Sequence, residues 1–202
     1  GLVLGSTAAV SAEEIGIHAT QIIAIELDPH FNNGDYYESA IGPVAGMGLA
    51  RRIAHLSYRS ERELDLRFGR NLQGTDLPTE GGVFAVESYL DHHADKLARR
   101  FDANTYIALT RAMTLFDLGE GRGGAAKALG TITAPLTVVG IDSDRLFPLR
   151  LQQDIVDCAP GADQLHLLIS PIGHDGFLVE EDQVARFVGH ALNRVEEATS
   201  TQ

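Results

Sequence analysis

Leu136-Thr137-Val138-Val139-Gly140-Ile141-Asp142-Ser143-Asp144 is the stretch on which the fold turns. Its start is uncharged and rich in β-branched residues, with no polar alternation, so it reads as a strand buried on both faces that runs straight into an acidic loop. Downstream, Pro148 to Cys158 has helical spacing and Leu165 to Ser170 is a second strand-like run. Val184, Phe187, Val188, Ala191, Leu192 and Val195 then mark a last amphipathic helix. Strand, loop, helix, strand, loop, helix implies parallel pairing through right-handed crossovers, which places the loops after both strands at one edge of the sheet. The class is α/β.

Upstream, Gly1-Leu2-Val3-Leu4-Gly5-Ser6 reads as a short buried strand with no turn or cap before it, as in a chain entered in mid-fold. Ser11-Ala12-Glu13-Glu14 has capping-box order, and a helix of about 16 residues is expected from it toward Asp28-Pro29. Residues 29–43 are turn-rich and read as a surface loop. Met47, Leu49, Ile53 and Leu56, then Phe84, Val86, Tyr89 and Leu90, then Tyr106, Leu109 and Leu115 recur at helical spacing. Three or four helices are expected across roughly 44–130, with a Gly/Pro loop at 74–83. The organisation expected is a core strand and helix at 1–28, a helical region at 29–130, and core strands and helices at 131–202.

The 202 residues are 44% hydrophobic, enough for one sizeable core. Sixteen Lys and Arg against twenty-eight Asp and Glu give a formal charge of −12, which opposes binding to nucleic acid or to an anionic membrane. The lone Cys158 forms no internal disulfide and no thiol-based zinc knuckle, which fits a cytoplasmic location. No apolar run approaches the roughly 20 residues of a membrane span, and the first residues lack signal-peptide order.

The loops after the two late strands read Gly140-Ile141-Asp142-Ser143-Asp144-Arg145-Leu146-Phe147-Pro148 and Ser170-Pro171-Ile172-Gly173-His174-Asp175-Gly176-Phe177. An acid and a histidine leaving one sheet edge can form two-thirds of a triad: the carboxylate fixes the imidazole, and Nε2 takes a proton from a nucleophile. Asp144, in the turn proper, is the better orienting acid, and Asp142, close to the strand end, is the alternative. The bland reading is that both residues only cap loops or helix starts. Acid followed by histidine is also the late chain order of α/β-hydrolases, yet no Gly-x-Ser-x-Gly elbow occurs, and Ser6 lacks its glycine spacing. Gly119 to Gly124 has dinucleotide-loop spacing but follows a helical run, so it predicts no cofactor site. His92 and His93 with Asp91 and Asp95 read as a solvated helix. His18, His55, His166 and His190 read as packed or surface residues, Cys158 as a structural thiol, and no metal is expected.

Asn33-Gly34-Asp35-Tyr36-Tyr37, Gly42-Pro43-Val44-Ala45-Gly46, Gly48-Leu49-Ala50-Arg51-Arg52-Ile53-Ala54, Ser57-Tyr58-Arg59-Ser60, Phe84-Ala85-Val86-Glu87-Ser88-Tyr89-Leu90, Arg100-Phe101-Asp102-Ala103-Asn104, Asp142-Ser143-Asp144 and Gly173-His174-Asp175-Gly176-Phe177 resemble the homoserine O-acetyltransferase family of methionine biosynthesis over nearly the whole chain. The resemblance implies the C-terminal part of an α/β-hydrolase fold with a helical lid, and a homodimer formed through that lid. It implies ping-pong transfer of acetyl from acetyl-CoA, as co-substrate, through a serine to the hydroxyl of L-homoserine. His174 would be base and acid, and Asp144 its orienting partner. Matched by position, Arg51 would hold the homoserine carboxylate, Tyr58 would be a pocket hydroxyl and Asp175 would take the ammonium. Their bland rivals are a surface ion pair for Arg51, core filling for Tyr58 and a turn cap for Asp175. The serine-bearing part of the family is not among these residues, so the chain by itself is expected to be inactive. Succinyl transfer, or a non-catalytic binding module of the same fold, are the alternatives. A plain esterase fits less well with opposite charges at Arg51 and Asp175.

Overall fold

A computed structural model of the chain describes residues 1–200. In chain order the elements are β1 (Leu2–Leu4), α1 (Ala12–Glu26), α2 (Val44–Tyr58), α3 (Glu61–Arg67), α4 (Ala85–Ala98), α5 (Ala103–Thr114), α6 (Ala125–Leu129), β2 (Leu136–Ile141), α7 (Leu149–Cys158), β3 (Ala162–Leu168), α8 (Gly176–Val179) and α9 (Glu181–Ser200). They form two compact units. One holds Gly1–Val10, Tyr58–Glu63 and the residues from Phe116 onward; the other holds Ser11–Ser57 and Leu64–Leu115. The expected boundaries at 28 and 130 fall inside these units, with α1 among the helices and α6 with the sheet.

The sheet unit carries three parallel strands in the order β1-β2-β3. Every residue of the central strand is buried, as its apolar run predicts. Leu136 and Val138 pack with Leu129, Ile155 and Ala159, while Val139 and Ile141 pack with Leu168, Phe177 and Phe187, so the strand's alternation feeds two separate cores. Each such side chain contributes about 1.5–3 kcal/mol by leaving water. In β3, Ala162 pairs with Leu136 but Leu165 pairs with Val138, so β3 carries one extra residue there and starts earlier than its apolar run indicates.

The helical unit closes around Ile25, Phe31, Met47, Ala50, Leu97 and Ile107. Its first helix starts as expected: Ser11 Oγ accepts from Glu14 N at 3.2 Å, and Glu14 Oε2 accepts from Ser11 N at 2.9 Å. The stretch from 44 to 130 holds five helices, one or two more than the periodicity resolves, because α3 and α6 are too short to show a full apolar repeat. Tyr36, expected in a surface loop, packs against the helical core. Its hydroxyl donates to Asp102 and accepts from Ala103 N at 3.0 Å; burial and the Asp102 carboxylate push its pKa up to about 12.

Gly46 lets α2 cross the end of α1, since a Cβ there would lie 2.6 Å from the Ala24 carbonyl oxygen. Asp28 fastens this crossing by accepting from Gly46 N at 2.8 Å and His30 N at 2.9 Å. Burial pulls the Asp28 pKa upward, but the Gly46 and His30 bonds outweigh it and hold the carboxyl below the usual range. A depressed carboxylate stabilises fully above its unfolded value of 3.8, and that stability is lost as pH falls through the lower folded value. Asp28→Asn is therefore expected to cost about 1–3 kcal/mol at neutral pH and to flatten the acid limb of stability below about pH 4. Urea midpoints measured from neutral to strongly acidic pH check both. Among the described residues no helix is long and apolar enough to cross a membrane.

Candidate active site

The chain leaves β2 at Ile141 and turns at once, with Asp144 N bonded to the Ile141 carbonyl at 3.1 Å. Leu146 N and Phe147 N, each at 2.9 Å, donate to Asp144 Oδ1 and aim the carboxylate. Its other oxygen, Oδ2, faces His174 Nδ1 at 2.9 Å. The Asp144 side chain is fully excluded from solvent and that of His174 is 18% exposed. A carboxylate in its charged form only accepts hydrogen bonds, so this contact suits an imidazole with its proton on Nδ1 and its lone pair on Nε2. Asp142, the alternative acid, accepts from Ser170 N at 2.9 Å and ties the two loops together.

His174 is held by backbone. Its N–H donates to the Tyr58 carbonyl at 2.9 Å, and Arg59 forms an antiparallel bridge with Gly173. Gly173 has φ +92°, and its N–H donates to Ser143 Oγ at 2.9 Å; Ser143 Oγ in turn donates to the Ser170 carbonyl at 2.5 Å. Around the imidazole stand Phe147, Phe177 and Tyr58, with ring centroids at 5.1, 5.4 and 6.3 Å. Gly5 comes up beside the pair from the end of β1: a Cβ on it would lie 3.5 Å from Asp144 Oδ2 and 3.7 Å from His174 Cε1. The first strand, second strand and third strand thus deliver backbone to one spot, as parallel crossovers require.

Asp175 stands at the start of α8 but makes no capping bond with its side chain; its Oδ2 lies 3.4 Å from an Arg59 guanidinium nitrogen. Arg59 also reaches Glu63 at 4.0 Å, and its Nε is buried without a hydrogen-bond partner among the described residues. Sequence reasoning passed over Arg59, although it adjoins Tyr58 in one of the quoted strings. Arg51 is half-buried on α2 in the helical unit. Among the described residues no serine, threonine or cysteine is hydrogen-bonded to His174 Nε2.

Of the histidines read as merely packed or exposed, His166 and His190 meet Asp163. Asp163 Oδ2 is 3.1 Å from His166 Nε2 and 2.8 Å from His190 Nε2. Burial raises the Asp163 pKa, but the bonds from His190, Gln164 N and His166 and the charge of Arg194 hold it well below the carboxylate range. No sequence signal marks this group, because residues three apart on a regular strand point to opposite faces and only the extra residue in β3 reverses that. His93 stacks on His55 at 4.0 Å, and Cys158 is partly buried against the sheet core.

No family model matches the chain. A homoserine O-acetyltransferase of Thermobifida fusca (strain YX) is 54% identical over 192 residues, covering 95% of this chain and 51% of that protein. The crystal structure of homoserine O-acetyltransferase from Bacillus anthracis superposes with a TM-score of 0.80 at 22% identity, over 92% of this chain and 52% of that one. An acetylester hydrolase from Corynebacterium glutamicum gives 0.73 at 24%, over 96% and 52%. The chain spans about half the length of the curated relatives it matches. Its fold is that of the α/β-hydrolases.

Proposed function

We propose that this chain supplies the acid–base half of a homoserine O-acetyltransferase, the observation that carries the reading being the backbone-locked Asp144–His174 pair. In the first half-reaction His174 Nε2 takes the proton of a serine hydroxyl as the oxygen attacks the thioester carbon of acetyl-CoA. The imidazolium returns that proton to the departing CoA sulfur, leaving acetyl-serine and free CoA thiol. In the second, Nε2 deprotonates the hydroxyl of L-homoserine as it attacks the acetyl-serine, and the proton goes back to the serine oxygen. Asp144 stays ionised throughout and stabilises each imidazolium.

Substrate placement follows from charge. Homoserine is a zwitterion, and Arg51 for its carboxylate and Asp175 for its ammonium provide one partner of each sign. Arg59 beside Asp175 keeps that carboxylate aimed while sharing its charge. Similarity to an acetylester hydrolase favours ester cleavage as the second reading, and succinyl-CoA is the competing donor. Dimerisation through the helices is part of the same proposal; α2 exposes Val44, Leu49 and Leu56.

These residues contain no Gly-x-Ser-x-Gly sequence. The chain as it stands is expected to form no O-acetylhomoserine from acetyl-CoA and L-homoserine, and a polypeptide that joins it to the serine-bearing part of such an enzyme is expected to do so. Turnover by the isolated chain at an enzyme's ordinary rate overturns the assignment. Hydrolysis of acetyl esters without acetylation of homoserine by the joined polypeptide decides for the esterase.

A further inference from the structure

We propose that Asp163, His166 and His190 form a binding site for one divalent transition-metal ion, zinc being the natural occupant. The site lies in the sheet unit and shares no residue with the Asp144–His174 pair. Asp163 and His166 come from β3, His190 from α9, and the three donor atoms all lie within 4.8 Å of one another. Two imidazoles and a carboxylate are the donor set that zinc takes when it keeps an open fourth position for water.

The distances fit with little movement. Zinc bonds of about 2.0–2.1 Å in a tetrahedron put neighbouring donors about 3.3–3.4 Å apart. Asp163 Oδ2 already stands 2.8 Å from His190 Nε2 and 3.1 Å from His166 Nε2. Opening these contacts by about 0.2–0.6 Å converts the two hydrogen bonds into two edges of a coordination tetrahedron. Arg194 supports the carboxylate from behind: it approaches Oδ1 at 3.5 Å and is itself fastened to the carbonyls of Leu136 at 2.6 Å and Gly161 at 3.0 Å. Such outer contacts hold a ligating carboxylate in place, and here they leave Oδ2 directed at the histidines. The His190 side chain is 42% exposed, so an ion and its water enter from solvent. The neighbouring Arg194 guanidinium opposes the charge of a cation at the site and so weakens its binding.

The extra residue in β3 carries the argument. In a regular strand Asp163 and His166 would lie on opposite faces; the added position turns both toward α9, where His190 sits.

The chelator-treated 202-residue chain, titrated with zinc chloride in a calorimeter, is expected to bind one ion per chain through this site. His190→Gln and Asp163→Asn are each expected to weaken that binding at least tenfold. Cobalt(II) is expected to give the visible absorption of a tetrahedral centre in the wild type and to lose it in His190→Gln. His190 lies on an outward part of α9, so His190→Gln is the variant that keeps its fold, checked by its circular dichroism and melting. No zinc binding, or binding of equal strength in wild type and a folded His190→Gln, overturns the site. Neither result bears on acetyl transfer.

Discussion

Asp144→Asn, introduced into a polypeptide that joins this chain to the serine-bearing part of a homoserine O-acetyltransferase, is expected to lower kcat about 10⁴-fold without unfolding the protein. Asp144 Oδ1 is occupied by the N–H groups of Leu146 and Phe147, which only an oxygen can satisfy. The asparagine oxygen must take that place, so its NH₂ group faces His174 Nδ1. A donor there forces the proton onto Nε2, and an imidazole protonated at Nε2 cannot take one from serine. His174→Ala, which removes the base itself, is expected to cost at least as much, about 10⁴–10⁶-fold. Steady-state kinetics with acetyl-CoA and L-homoserine, beside urea unfolding of each variant, check both. A variant of either residue that retains activity within tenfold removes the pair from the mechanism.

The largest stability effect is expected from Gly173→Ala, a loss of about 3–5 kcal/mol. A Cβ at Gly173 would lie 2.6 Å from the Tyr58 carbonyl oxygen, 2.7 Å from Ser60 N and 3.0 Å from Arg59 C. All of these are backbone, held by the bridge that also positions His174, so no side chain can swing away. The left-handed φ of +92° adds strain for any residue with a Cβ. Gly121 separates the two terms: its φ is +66°, but nothing lies within 4 Å of the added carbon. Gly121→Ala is therefore expected to cost only about 1–2 kcal/mol. Equal urea midpoints for the two variants refute the steric argument, and a folded Gly173→Ala is expected to misplace His174 and to lower the activity of the joined polypeptide with it.

Much of the architecture was legible because it rests on local pattern. The uncharged run at 136–141 could only be a strand covered on both faces, and the order of strands and helices then fixed parallel pairing. The Ser11–Glu14 capping box gave the start of α1 to the residue. The short helices α3 and α6 escaped because one or two turns are too few to show a repeat, and Tyr36 escaped because the Gly, Asn and Pro around it describe the backbone and not where the ring packs.

By itself the sequence determined that an acid and an imidazole, thirty positions apart, leave one edge of a parallel sheet, and that no elbow serine accompanies them. Those facts follow from periodicity and connectivity, which are carried along the chain. Only the tertiary structure decided that Asp144 and not Asp142 holds His174, that Arg59 stands against Asp175, and that Asp163 gathers two histidines from separate elements. Each of these is a contact made by side chains across a few ångströms. Distances of that kind depend on the angle of a turn or on one inserted residue in a strand, and neither leaves a pattern in the order of amino acids.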